Sequence, residues 1–283
     1  MTARAQTLLR PVPFSPKHIP GLKLWLRADR GAQAGGAAQF TAANSESLSI
    51  ADNASLSTGD IDFWVAGWFY LDDLSQRGFL SKDDGATERE WALYYDGFSR
   101  FRFNVSANGT FFFSVTADTF GVPSTATWYF LIAYHDAIND VIKISVNGGA
   151  FDSLAHATGV RDGAAAFRMG LFGTTSYHNG REAHVAFGKS PVGGIAALAA
   201  TIRDRLYNSG NGIDYASLSP AEKTQYGLVS WWRLQEVSGT RNDSHGTNHL
   251  TDNNTVTEAA GPFYVTAIAD DPVTRVLDQS GSG

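Results

Sequence analysis

Residues 39–73 read QFTAANSESLSIADNASLSTGDIDFWVAGWFYLDD. From Ile61 to Leu71 both alternating sets are apolar, Phe63, Val65, Phe69 and Leu71 on one side and Trp64, Ala66, Trp68 and Tyr70 on the other. A strand wetted on one face alternates apolar with polar, so this pattern predicts an inner strand covered on both faces. Upstream, SLSIADNASL gives a short strand carrying Leu48 and Ile50, followed by an Asp52-Asn53 turn. Thr58-Gly59-Asp60 then breaks the chain before the inner strand. The stretch reads as one hairpin-like unit of a sandwich.

The chain around it is 283 residues long and 43% hydrophobic, enough for one large sandwich with appendages. Its 29 glycines and 12% aromatic content suit many short strands joined by tight turns. A formal charge of −6 without a basic cluster excludes an interface that neutralises nucleic-acid phosphates. The absence of cysteine removes disulfides and thiolate zinc sites and fits folding in the cytosol, or a virion assembled there. The first residues lack an apolar run of signal-peptide length, and no stretch is long and apolar enough for a membrane span.

Taken in order, residues 1–21 hold four of the nine prolines and read as an extended arm, with a disordered leader as the competing reading. Leu22, Leu24 and Leu26 then alternate with Lys23, Trp25 and Arg27 in a strand. Residues 79–82 begin another. Trp91, Leu93 and Tyr95, then Phe101, Phe103 and Val105, alternate around an Asp96-Gly97 turn and predict a hairpin with one wet face. Asn108-Gly109 turns the chain into FFFSVTA, and residues 127–134 with 141–146 make a further pair. Residues 166–172 and 182–187 complete the strands. Ile195, Leu198, Ala199, Ile202 and Leu206 follow helical spacing, and Ser219-Pro220-Ala221-Glu222 has the form of a capping box. Two short surface helices follow from these signals.

The segments LSIADNASLSTGDIDF, AGWFYLDD, LSKDDG, REWALYYDGFSRFRFNV, TWYFLIAYHDA and LYNSGNGIDYASLSPAEK resemble those of the laminin-G-like, concanavalin-A-like jelly-roll family, in its bacterial and phage branch. The likeness covers roughly residues 39–223. It implies an all-β fold, an antiparallel jelly-roll β-sandwich with one or two short helices at the surface. The segment LVSWWRLQEVSGTRNDSHGTNHLTDNNTVTEAAG resembles the opening of a further jelly roll in tandem members, and echoes residues 22–29 in an apolar strand ending in Trp, Arg and an acid. Exposed, it would leave an apolar strand with a free edge. We therefore expect residues 228–256 to close the same sandwich, with donation to a neighbouring subunit as the alternative, giving an arm at 1–21, a sandwich at 22–262 and a tail at 263–283.

Catalytic patterns are missing from the sequence. No pair of carboxylates stands on one strand in the manner of a retaining glucanase, and neither H-E-x-x-H nor G-x-S-x-G occurs. Aromatic and hydrogen-bonding side chains on a shallow sheet suit sugar rings, which have apolar faces and hydroxyl edges. On that ground Tyr94, Arg100, Arg102 and Asn104 on the wet face, with Trp91 and Phe98 beside them, are the candidate ligand site. An ordinary solvent face is the competing reading. The resemblance also implies a structural calcium ion, for which Asp52, Asn53, Asp243 and Asn248 are loop ligands of suitable hardness, with Asx-turns as the alternative.

The expected function is that of a non-enzymatic structural or adhesive module. The resemblance implies a phage virion component such as a fibre, tail or capsid-decorating protein, with cell-surface glycans as ligands. The expected partners are other virion or surface proteins, met through the arm, and further copies of the chain; nucleic acid and membrane are not among them. A free carbohydrate-binding lectin is the alternative, and a polysaccharide-degrading enzyme the third reading. The location implied is a virion or the cell surface.

Overall fold

The structure, a computed structural model, describes residues 33–265. The arm at 1–21, the strand read at 22–28 and the tail beyond Val265 lie outside the described residues. The chain runs β1 (Gln33–Phe40), β2 (Ser47–Ile50), β3 (Phe63–Leu71), β4 (Arg77–Lys82), β5 (Trp91–Tyr95), β6 (Phe101–Val105), β7 (Phe113–Thr116), β8 (Trp128–Asp136), β9 (Val141–Val146) and β10 (Asp152–Ala155). It continues through β11 (Phe167–Met169), β12 (Leu171–Phe172), β13 (Ser176–Tyr177), β14 (Gly180–Lys189), α1 (Ile195–Tyr207), α2 (Pro220–Gln225), β15 (Leu228–Trp232), β16 (Thr251–Asn253) and β17 (Thr257–Val265).

Two antiparallel sheets result. The first has the order β10-β9-β8-β3-β14-β1-β17, with β15 also on β14, and the second the order β16-β2-β11-β4-β5-β6-β7. β3 sits between β8 and β14. Its set Phe63, Val65, Phe69 and Leu71 enters the core between the sheets, while Trp64, Ala66 and Trp68 enter a second core on the outer side. That second core exists because α1 lays Ile195, Leu198, Ala199, Ile202 and Leu206 on the sheet, and each leucine or isoleucine among them contributes roughly 1.5–3 kcal/mol when fully buried. A two-faced apolar strand is thus explained by a sandwich interior on one side and a helix on the other.

α1 starts after Gly194, which has no side chain to cap it. The Asp62 carboxylate, at the edge of β3, accepts from the Ile195 N–H at 2.9 Å and takes over that task. α2 carries the capping box read from its sequence, with Ser219 and Glu222 bonding reciprocally and Pro220 in its first turn.

Three local expectations are corrected. β2 and β3 do not form a hairpin-like unit: they lie in different sheets, and residues 51–62 cross the end of the sandwich between them, pinned by the wholly buried Leu56 and by Thr58 donating to Glu90. The strand read at 166–172 is broken at Gly170, whose φ of +76° takes the chain off its sheet. A Cβ there would stand 2.5 Å from the Phe40 ring, so glycine is needed for both reasons. The wet face expected of the β5–β6 hairpin is largely covered, because Phe172 of β12 folds back onto Tyr94 while Arg102 stays half-exposed.

Residues 228–232 pair with β14, placing Trp232 opposite Val185, and residues 251–253 pair with β2. β14 gives its first residues to β1 and its later ones to β15, and a bulge at His184, with φ of 48°, divides the two. Trp232 stacks on Phe167 in the central core, with ring centroids 5.0 Å apart.

Candidate functional site

On the second sheet, residues 92, 94, 102 and 104 do face outward, but most of that face is occupied. Phe172 of β12 stacks on Tyr94 with centroids 4.4 Å apart and planes 19° from parallel, which leaves Tyr94 6% exposed. Its phenol pKa is raised by burial. Asn104, 2% exposed, donates to the Tyr94 hydroxyl at 3.3 Å and accepts from Ser114. Trp91 belongs to the core, where its ring lies nearly parallel to Phe187 at 6.1 Å. Arg102 donates to Asp96 at 2.9 Å, and Arg100 to the exposed Asp118 at 3.3 Å. Burial alone would raise the Asp96 pKa, yet three backbone N–H groups, of Arg100, Ser99 and Phe98, hold it below its ordinary value. Phe98, 89% exposed, stands on this turn away from the others. The six residues therefore do not converge on one surface.

The outer face of the first sheet presents a different set. Strand register aligns Trp128 with Tyr70, Tyr70 with Arg181, and Arg181 with Gln39, one residue from each of four adjacent strands. In an antiparallel sheet, directly paired residues point to the same side. All four side chains are half-buried. The Trp128 and Tyr70 rings lie 5.3 Å apart, and the Arg181 guanidinium carbon stands 4.6 Å from the Tyr70 ring centroid. Arg181 Nε donates to Gln39 Oε1 at 2.9 Å, and Gln39 Nε2 donates to Asp72 at 3.2 Å and to the Gly180 carbonyl at 3.1 Å.

One step inward the face is closed. Trp68 packs between Phe130, 5.5 Å away, and Tyr207, which stacks on it at 5.9 Å from the last turn of α1. A helix of 13 residues covers about 20 Å of sheet, and Tyr207 marks where that cover stops. The row from Trp128 to Gln39 is the first beyond it, a ledge with the helix end as its wall. Elsewhere, an open cleft of about 260 Å³ lies between Phe120 and Gly149, but its polar groups are spent internally. There Thr119 donates to Asp152, and Asn147 Oδ1 accepts from the Phe130 N–H.

No family model matches the chain, and no curated protein does. Solved structures do. A "putative carbohydrate binding protein" from Bacteroides ovatus ATCC 8483 is similar at 17% identity and a TM-score of 0.54, over 81% of this chain and 60% of that one. The chain thus spans 60% of the length of that protein. A heptameric SAP-like pentraxin from Limulus polyphemus shows 8% identity and a TM-score of 0.48, over 78% of this chain and 97% of that one. The LG4-5 domains of the mouse laminin alpha1 chain show 13% identity and 0.41, over 55% and 40%. Two stacked antiparallel sheets, joined by crossings such as that from β2 to β3, decide the architecture. The chain folds as a concanavalin-A-like, laminin-G-like jelly roll.

The four loop residues of this jelly roll do not fit a calcium ion. Asp243 Oδ1 accepts from the N–H groups of Trp231 and His245, at 3.0 and 2.9 Å, and Oδ2 from that of Asn248 at 3.1 Å. Asp52 is bound by the ammonium of Lys82, a side chain wholly removed from solvent. Asn53 accepts from the Ser55 N–H at 3.0 Å in an Asx-turn, and Asn248 is shared between Ser55 and Ser230. The two loops do meet, through Ser55 and Asn248, but both oxygens of Asp243, Oδ1 of Asp52 and the amide oxygens of Asn53 and Asn248 are engaged by protein donors. Among the described residues no group of three or more His, Asp or Glu side chains is placed to hold a metal.

Proposed function

We propose that this jelly roll is a non-catalytic carbohydrate-binding module, and that glycans lie on the ledge formed by Trp128, Tyr70, Arg181 and Gln39. The observation that carries this reading is the row itself. Four strands in register present two half-exposed aromatic rings beside a guanidinium and an amide. The rings can stack on the apolar face of a sugar while the polar pair takes its hydroxyls. The carbohydrate-binding assignment given to the Bacteroides ovatus protein supports the reading by likeness of fold. This is the lectin alternative of the sequence reading, moved to a different face.

Catalysis is a poorer account of the buried acids. Glu182 and Glu90 are wholly removed from solvent, so neither reaches a polysaccharide chain. A binding module of this kind also suits the adhesive part of a virion or surface protein, and copurification with particles tests that placement.

The function is tested by screening the full chain on a glycan array, followed by calorimetry on any ligand found. Trp128→Ala should weaken binding by ~1–3 kcal/mol or more while the melting temperature stays near that of the parent chain. Absence of any bound glycan, or a Trp128→Ala variant that binds as the parent does, would overturn the reading.

A further inference from the structure

Arg181 differs from its neighbours in the row by what it leaves unused. Its Nε is taken by Gln39 and its flat face by Tyr70. Its two terminal nitrogens have no carboxylate partner among the described residues, and Asp72, the acid of this corner, is held by Gln39 instead. On the sheet surfaces Arg77 pairs with Asp73 and Arg102 with Asp96, while Arg168 is held by the carbonyls of Asp83 and Gly173. An arginine fixed at Nε and stacked on a ring has already lost much of its rotamer freedom, so little entropy remains to be lost when its outer fork is engaged.

We propose that the ledge is selective for glycans bearing a carboxylated sugar, with the Arg181 fork pairing both carboxylate oxygens while Tyr70 and Trp128 stack on sugar rings. This inference rests on the glycan-binding reading and narrows its ligand class. A carboxylate matches the guanidinium fork in a planar, two-bond geometry, which a hydroxyl does not. The formal charge of −6 keeps such selectivity local: a long polyanion is repelled by the molecule as a whole, whereas one acidic sugar beside Arg181 is not.

The test uses the full chain and a paired array, acidic glycans beside the same glycans with their carboxyl groups reduced to alcohols. The parent should bind the acidic member at least about ten-fold more tightly, the scale of a charge-assisted pair. Arg181→Gln, which retains a polar side chain, should bind both members alike, at the level the parent shows for the reduced form. Tyr70→Ala should lose both. If the parent binds glycans through Trp128 and reduction leaves affinity unchanged, the carboxylate inference is wrong and the glycan reading stands. If neither member binds, the glycan reading itself falls. Selectivity that persists in Arg181→Gln would place the carboxylate elsewhere and contradict the role given to this residue.

Discussion

Phe172 lies flat on Tyr94, 4.4 Å between centroids, and this contact takes Tyr94 out of the candidate ligand surface. Phe172 is carried by a two-residue strand just past the left-handed Gly170, so a sharp turn brings the cover over Tyr94 of β5. Phe172→Ala should uncover the phenol and bring its pKa, raised by burial, back toward the ordinary tyrosine value. A spectrophotometric phenolate titration, with Tyr94→Phe as the assigning control, reads the change. An unaltered titration would show that the cover lies elsewhere.

Trp68→Ala should cost about 3–5 kcal/mol, the usual loss for truncating a large core aromatic. Trp68 is 5% exposed and joins Phe130 of the sheet to Tyr207 of α1. Urea denaturation measures the loss. A midpoint unchanged from the parent would mean that α1 does not seal this face.

Glu182 should make the protein less stable as pH rises. Its register partner Phe69 points between the sheets, so the carboxyl does too, and burial raises its pKa well above the ordinary value. The folded state then keeps a proton that the unfolded chain has lost. Stability from this group is full below the ordinary carboxylate range and declines above it, up to the folded pKa. Glu182→Gln removes the titration, so its stability relative to the parent should grow between pH 4.5 and pH 8. A difference that stays constant over that interval contradicts the placement.

His178 should act at the acid end. Burial lowers its pKa from 6.5 to about 3, with its ring packed on Phe79 and Phe40. The unfolded chain takes up a proton near pH 6.5 that the folded state refuses, so stability is full above pH 6.5 and is lost as pH falls toward 3. His178→Phe should flatten that part of the profile. A variant as acid-sensitive as the parent would assign the loss to other groups.

A chelator should leave the melting temperature where it is, since Oδ1 of Asp52, both oxygens of Asp243 and the amide oxygens of Asn53 and Asn248 are held by protein donors. A fall in melting temperature on adding EDTA, reversed by calcium, would overturn this account of the two loops.

The fold was legible because its strongest determinants are local. Two apolar sets in residues 61–71, a helical spacing from Ile195 to Leu206 and a capping box at Ser219 each state their own environment. The separation of β2 from β3 was not, since a chain that turns within a sheet and one that crosses between sheets use the same turn residues. For the site, strand alternation does put residues 94, 102 and 104 on the outward face, but the covering strand comes from residues 171–172, far along the chain. The ledge was hidden for the same reason. Gln39, Tyr70, Trp128 and Arg181 become neighbours only through the register of four strands, and a one-residue slip would send any of them to the opposite face.

Binding of a glycan by the parent chain and by Trp128→Ala, compared by calorimetry at equal melting temperature, tests the central claim most directly. The account expects a ligand for the parent and loss of binding, ~1–3 kcal/mol or more, when the stacking ring is removed. Equal affinity in the two proteins would contradict it.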